Sequence, residues 1–376
     1  MTILIWAAEA FCILTTVIHV ASTLAAIIRC KSPVAYAPTS PRAPAVSLVR
    51  PVCGIENYVE ETLASAFALD YPHYEIVFCV AAAQDPIVPT VRRLIAAHPG
   101  VPARLLVGNE KISDNPKLNN VYKGWRDAAH EWIVLADSNV FMPPDYIQRL
   151  LAAWRADTGL ICSPPVGCRP DGFWAELECA FLNTYQARFQ YAADTFGRGF
   201  AQGKSMLWNR NILERAGGIR ALASELAEDA AATKVVRGAG LRVRLVDAPF
   251  EQPLGYRSAA EVWRRQVRWA RLRRTSFKAY FMPELLAGAA WPLAATAFAA
   301  AQSDLALASV PAVAAVWYGC EALLAWAAGW HLSARSPLAW AVRDLLLPAI
   351  WFNGLLGSAF VWRGNQMRPV ESRGAV

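Results

Sequence analysis

Two apolar regions at opposite ends of the chain limit what it can fold into. Ile3 to Ile28 is apolar apart from Glu9 and His19, and a helix of that length crosses ~30 Å of hydrocarbon. Arg29 and Lys31 come directly after it. No charged segment precedes the run and no small-residue cleavage site ends it, so residues 1–30 read as a retained anchor, not a signal peptide. The positive-inside rule then puts the residues after Lys31 in the cytoplasm of an inner-membrane, multi-pass protein. Toward the other end, residues 284–364 hold three candidate spans, Leu285 to Ala301, Leu305 to Trp330 and Leu338 to Trp362. The first is short and interrupted by proline, which allows a re-entrant segment and leaves two or three crossings. Arg343 and Asp344 in the third read either as a mutually satisfied pair inside a bundle or as a helix-end position. Three crossings would carry Arg363, Arg368 and Arg373 out of the cytoplasm, against the positive-inside rule.

Composition agrees with a partly lipid-embedded chain: 55% of the residues are hydrophobic and the mean hydropathy is +0.24. The net charge of +7 is concentrated, with Arg264, Arg265, Arg268, Arg271, Arg273, Arg274 and Lys278 in one short window. Such a run beside apolar segments points to anionic lipid headgroups or phosphates sooner than to nucleic acid. Eight cysteines without a CxxC and five scattered histidines give no zinc framework and fit reduced cytosolic thiols.

Between a proline-rich linker at 31–45 and a basic helix at 256–283 lies a soluble domain, 46–255. Strands are expected at Val46 to Pro51, Tyr74 to Val80, Ala103 to Val107 and Trp132 to Ala136. Helices are expected at Asn57 to Leu69, Val88 to His98 and Leu118 to His130. This alternation predicts an α/β domain with a mostly parallel, doubly wound sheet.

The candidate chemistry gathers around the strand Trp132 to Ala136, which ends in Asp137-Ser138-Asn139. A carboxylate at the C-terminal end of a buried strand lies where open α/β sheets bind ligands. Asp137 supplies hard oxygens for Mg²⁺ or Mn²⁺; the alternative is an Asx-type turn into Met142-Pro143-Pro144. Asp85, beside Pro86, is a turn former or a nucleotide contact. Lys117 starts a helix after Pro116, where its ammonium can meet phosphate oxygens. Glu228-Asp229, in a helical run Ser224 to Arg237, suit a general base with a charged neighbour, or a solvated helix face. Arg265 and Arg268, with Trp269, share one helical face on which two guanidiniums can grip a diphosphate beside an indole. Gly203-Lys204-Ser205 imitates the end of a phosphate-binding loop, but Arg198 stands where that motif needs glycine.

Taken together the motifs resemble the ceramide glucosyltransferases, glycosyltransferase family 21, close to family 2. The likeness extends to Leu69-Asp-Tyr-Pro72, Asn115-Pro-Lys-Leu-Asn-Asn120, Ala216-Gly-Gly218, Ala227-Glu-Asp229 and Val267-Arg-Trp-Ala-Arg-Leu272. The resemblance implies a GT-A (Rossmann-like) fold and inverting transfer of a hexose, glucose foremost, from a UDP-sugar to a lipid hydroxyl, ceramide foremost. Diacylglycerol or a hopanoid are alternative acceptors, with a processive polysaccharide synthase or a non-catalytic binder of anionic lipid further off. Carried over by position, Asp85 would bind the uridine part, Asp137 the divalent cation, and Arg265, Arg268 and Trp269 the diphosphate; Glu56 and Lys117 are further candidates for holding the donor. Asp229 is the base with Glu228 beside it. The chain departs from the family at Ala81-Ala-Ala83, at Gln186, where animal members have histidine, and at Asn139, which leaves a single carboxylate in the metal motif.

Overall fold

The computed structural model describes residues 1–31, 42–303, 306–357, 360–362 and 365–367. Most of the expected linker, Arg363 and the tail beyond Met367 lie outside them. By internal contacts the chain divides into a helical unit, Met1–Lys31, Gly167–Ala192 and Tyr256–Ser358, and a sheet unit, Ser32–Val166, Ala193–Gly255 and Ala359–Val376.

From the N-terminus, α1 (Thr2–Lys31) is followed by β1 (Val46–Pro51), α2 (Val59–Ala64), β2 (Tyr74–Val80), α3 (Val88–Ala97) and β3 (Ala103–Val107). Then come α4 (Pro116–Asp127), β4 (Trp132–Ala136), α5 (Tyr146–Ala152), β5 (Thr158–Cys162) and β6 (Val166–Asp171). α6 (Phe173–Ala180) runs through a π-helical stretch into α7 (Arg188–Thr195), followed by β7 (Ser205–Asn209), α8 (Arg210–Arg215), α9 (Glu228–Gly238), β8 (Arg242–Leu245) and β9 (Glu251–Tyr256). The remainder is α10 (Ala259–Ser276), α11 (Lys278–Phe281), α12 (Ala290–Gln302), α13 (Ser309–Ala328), α14 (Ser336–Leu356) and a small antiparallel pair, β10 (Phe360–Trp362) and β11 (Asn365–Met367).

The sheet unit is built on seven strands in the order β3-β2-β1-β4-β7-β5-β8. β3, β2, β1 and β4 run parallel to one another, as do β5 and β8. β7 runs against both of its neighbours. β1, β2 and β5 are buried along their whole length and β4 along all but its first residue. That burial on both faces is why these strands read as unbroken apolar runs. Leu48, Ile76, Phe78, Val134, Ile161 and Leu207 sit in one core beneath them.

The first four strands fall where the apolar runs place them, whereas the helix limits differ for local reasons. α4 starts at Pro116, ahead of the expected Leu118, because the Asn115 side chain accepts the Lys117 and Leu118 N–H groups at 2.9 and 3.2 Å and caps the first turn. The run 224–237, expected as one helix, is α-helical only from Glu228 (α9); Ser224 closes a 3₁₀ turn, Ile219–Ser224, and Glu225 and Ala227 are extended. Residues 167–192, expected inside the soluble domain, group with the apolar helices. α6 and the π-helical stretch bury most of their side chains, which a surface helix of the sheet domain would not do.

In the helical unit α1 packs on α12 and α13, and α14 on α6 and α10. α1 and α13 are long and apolar enough to cross a membrane, and the pair Lys278–Leu286 and Ala290–Gln302 is bent by 42°. That bend is the Pro-interrupted first C-terminal segment of the sequence. Ile3, Leu4, Trp6, Ile13, Leu14, Val17 and Ile18 lie exposed along α1, as a lipid-facing helix requires. The expected third span ends as helix at Leu356, short of Trp362.

A fully buried ionic cluster links the helices of this unit. Arg343 meets both oxygens of Glu321 at 2.7 and 2.8 Å and bonds Asp344 at 2.8 Å. It also donates to the Ala180 carbonyl and to Thr184 Oγ1. The adjacent Arg343 and Asp344 thus pair, the first of the two readings their sequence allows, with Glu321 as a third member that sequence gives no means to find. Removing one partner of a buried pair leaves a charge uncompensated, at a cost of roughly 3–5 kcal/mol. Glu321→Ala is therefore expected to lower the thermal unfolding temperature of the detergent-solubilised protein sharply. An unchanged transition would contradict the assignment.

Candidate active site

The sheet unit builds the site from β4 outward. β4 delivers Asp137 at its C-terminal end, and because β7 runs antiparallel, its leading residues return to the same place. Ala136 pairs with Ser205, and the Asp137 N–H donates to the Lys204 carbonyl at 3.0 Å. Gly203-Lys204 leads into a strand and not a helix, so it is no phosphate-binding loop of the usual kind, yet both residues belong to the site. No local motif announces this, because it depends on the reversed direction of β7.

Arg50, fully buried on β1, is a second participant without a sequence signal. Its guanidinium donates to the carbonyls of Asp137, Ser138 and Val140 at 3.0, 3.2 and 3.1 Å, and to that of Thr62 at 2.8 Å. These bonds fasten the turn that presents Asp137. Burial draws the Arg50 pKa down to about 10.

Lys117 Nζ stands at the centre. It lies 2.6 Å from Asp137 Oδ1, 2.6 Å from Glu228 Oε1 and 2.6 Å from the Gly203 carbonyl, so its three donors meet three acceptors. Lys204 Nζ takes the other oxygen of Asp137 at 3.0 Å and Asn139 Oδ1 at 3.0 Å. Burial opposes charge on Asp137, but Lys117 and Lys204 outweigh it and bring the carboxyl down to about 2. Burial likewise works against the Lys117 ammonium, and the carboxylates of Asp137 and Glu228 overcome it, holding its pKa above the ordinary lysine range.

Glu228 and Asp229 open α9, acids in a first turn where the helix dipole favours them. Glu228 is engaged on both sides: Oε1 by Lys117 and Oε2 by the Asn115 amide at 2.7 Å. Asp229 has weaker company, accepting the Gly203 and Ala230 N–H groups at 3.0 and 2.8 Å. Burial, and then the Glu228 charge, push Asp229 up to about 6. The two neighbours therefore differ in kind, Glu228 paired with an ammonium and an amide and Asp229 poised to take a proton. Gly203 fits among them for want of a side chain. A Cβ there would lie 2.7 Å from Glu228 Oε1 and 3.0 Å from Lys117 Nζ.

Asp85 acts first as a turn former. Its Oδ1 accepts the Ile87 N–H at 3.0 Å and the Gly54 N–H at 2.9 Å, which ties it to the loop after β1. Glu56 sits on that loop and accepts from Asn139 Nδ2 at 3.4 Å. The structure thus joins Glu56, Asn139, Lys204, Asp137, Lys117, Glu228 and Asp229 in one network, with Asp85 tied to the same loop as Glu56.

Arg265, Arg268 and Trp269 belong to the helical unit, on α10, whose start is fixed by a Ser258–Glu261 capping box. Arg265 bonds Glu178, a fully buried carboxylate of α6 that also has Arg257 Nε at 3.6 Å. Arg268 and Trp269 are half-buried. Much of the basic run is turned toward protein: Arg271 to Asn353, Arg273 to Glu284, and Arg274 to the Leu355 and Gly357 carbonyls at the end of α14. Arg264 and Lys278 are exposed.

Among the described residues no group of three His, Cys, Asp or Glu side chains could hold a metal ion. One ionised carboxylate with hard oxygens still suits Mg²⁺ or Mn²⁺ when phosphate oxygens complete the shell, the usual mode for Mg²⁺. Asp137 fits that role.

The fold is similar to that of the mannosyltransferase PcManGT from Pyrobaculum calidifontis, solved with GDP-Man and Mn2+, at a TM-score of 0.54 and 21% identity over 90% of this chain and 99% of that one. The protein is thus of the GT-A class of fold, joined to apolar membrane helices. Residues 14–375 match the sequence profile of Glycosyl transferase family 21, and the chain belongs to that family. Among relatives, ceramide glucosyltransferase 1 of Caenorhabditis elegans is 28% identical over 235 residues, 62% of this chain and 50% of that protein. Ceramide glucosyltransferase 3 of the same organism is 25% identical over 331 residues, 86% of this chain and 72% of the relative. The enzyme of Komagataella phaffii is 36% identical over 120 residues, 31% of this chain and 24% of its own length.

The Asp229 shift carries a stability consequence. Its folded pKa is raised above the unfolded value, so its contribution is favourable at pH below about 4 and is lost as pH rises through about 6. At pH 7 the ionised group therefore destabilises the fold. Asp229→Asn is expected to raise stability at pH 7 by about 1–2 kcal/mol, after one lost hydrogen bond is set against the relief, and to give no gain at pH 4. Thermal unfolding at the two pH values checks the sign.

Proposed function

We propose that the protein transfers a hexose, glucose foremost, from a UDP-sugar to a membrane lipid hydroxyl, ceramide foremost, inverting the anomeric carbon. The carrying observation is the unequal pair at the head of α9: Glu228 neutralised by Lys117, Asp229 raised to about 6 beside it. Family membership and the relatives' names support a sugar donor and a lipid acceptor.

In this reading Asp229 Oδ takes the proton from the acceptor hydroxyl as that oxygen attacks the anomeric carbon, and the bond from that carbon to the UDP oxygen breaks. A base with a pKa near 6 is largely ionised at pH 7 and still basic enough to accept the proton. The Glu228 carboxylate, paired with Lys117, helps to hold the Asp229 pKa up. Asp85 and Glu56 orient the nucleotide. Arg265, Arg268 and Trp269 take the leaving diphosphate, whose charge suits guanidinium donors; Lys117, its three donors held by Asp137, Glu228 and the Gly203 carbonyl, adds its positive charge to the donor site. Asp137 would hold the divalent cation, which supplies charge stabilisation for that leaving group. In this reading the sheet unit works on the cytoplasmic face of the inner membrane, where UDP-sugars are made; Arg29 and Lys31 after α1 support that side by the positive-inside rule. Arg264 and Lys278 face anionic headgroups there.

The test uses purified protein with UDP-glucose or UDP-galactose and, in separate micelles, ceramide or diacylglycerol. The expected product is a β-hexosyl lipid, read by mass and by the anomeric proton coupling. An α-linked product would contradict direct displacement. Asp229→Asn is expected to bind UDP normally and to lose about 10²–10⁴-fold in transfer rate, with Glu228→Gln losing less. Near wild-type transfer by Asp229→Asn would place the base elsewhere.

A further inference from the structure

Both oxygens of Asp137 are covered by ammonium groups, Oδ1 by Lys117 and Oδ2 by Lys204. Around Gly203, three carboxylates (Asp137, Glu228 and Asp229) face these two ammoniums, leaving one negative charge in excess when Asp229 is ionised. A diphosphate is repelled by such a cluster unless positive charge enters with it. A cation entering at Asp137 needs one of the two lysines to move, and the two are not equivalent. Lys117 fills all its donor positions and also neutralises Glu228, so shifting it would uncover a second, nearly buried carboxylate. Lys204 makes the longer contact with Asp137, 3.0 Å against 2.6 Å, and shares its ammonium with the neutral Asn139 Oδ1 at 3.0 Å, where Lys117 shares its own with a second carboxylate.

Resting on the reading of this site as a UDP-sugar site, we propose that Lys204 holds the cation's place on Asp137 and passes to the donor's diphosphate when cation and nucleotide bind. The exchange conserves favourable pairing at each step: Asp137 is neutralised first by Lys204 and then by the cation, and the Lys204 ammonium trades a carboxylate for a phosphate oxygen. Lys204 is then a donor-binding residue that makes cation and nucleotide binding cooperative, since either ligand alone meets a lysine in the wrong place.

The consequence is a pair of opposite signs that a structural role would not give. With Mn²⁺ alone, Lys204→Met removes the competing charge and is expected to tighten binding about tenfold, read by the bound-ion signal in electron paramagnetic resonance. With UDP in saturating Mn²⁺, the same variant loses a charge-assisted bond and is expected to weaken binding about tenfold or more by calorimetry. Lys204→Arg keeps the charge and should stay near wild type in both assays. Equal or weaker Mn²⁺ binding in Lys204→Met, or Lys204→Arg behaving like Lys204→Met, overturns the exchange. Wild-type protein that fails to bind UDP with Mn²⁺ overturns instead the reading of the site on which the exchange rests.

Discussion

The contact on which the site depends is the ammonium of Lys117 set between Asp137 and Glu228. Three carboxylates gathered at a strand end and a helix start would repel one another without it, and at least one would take up a proton. With Lys117 in place, Asp137 stays ionised, Glu228 has a direct counter-charge, and the remaining strain falls on Asp229. The backbone is arranged around this contact. Asn115 caps α4 and so aims Lys117, and the same Asn115 amide grips Glu228. Gly203 supplies a carbonyl to Lys117 and an N–H to Asp229 while having no side chain to intrude.

The parallel half of the sheet is legible in sequence because burial on both faces leaves an unmistakable apolar run, as in Trp132 to Ala136. Asp137, Lys117, Glu228 and Asp229 are legible as candidates because each sits at an element end, where sequence signals are strongest. Their mutual pairing is not. Lys117 and Glu228 are brought together by tertiary packing, and neither declares its partner. Gly203-Lys204 is hidden for a sharper reason: β7 runs antiparallel, and the direction of a strand is not written in its residues. Asp85 shows the reverse case, where the modest reading as a turn former describes the contacts that its Oδ1 makes.

The helical unit has the same division. Its apolar length can be read directly, and the pairing of Arg343 with Asp344 is one of two readings that their adjacency allows. Glu321 and Glu178 cannot, since a glutamate in an apolar helix gives no sign of which arginine neutralises it. The basic window of α10 reads in sequence as a membrane-facing surface, whereas Arg271, Arg273 and Arg274 satisfy carbonyls and side chains within the unit. Arginine's several donors let it serve as an internal fastener where sequence suggests only surface charge. Arg265, held by Glu178, joins a motif visible in sequence to a partner that is not.

Asp229 as the base, its pKa raised by burial and by an ionised Glu228, is tested most directly by the pH dependence of kcat/KM in wild type and Glu228→Gln. Wild type should lose activity as pH falls through about 6, the value at which Asp229 protonates. Removing the like charge at Glu228 should move that acid limb to lower pH. An acid limb that stays in place in Glu228→Gln, or one absent from the wild-type profile, would contradict this role for Asp229.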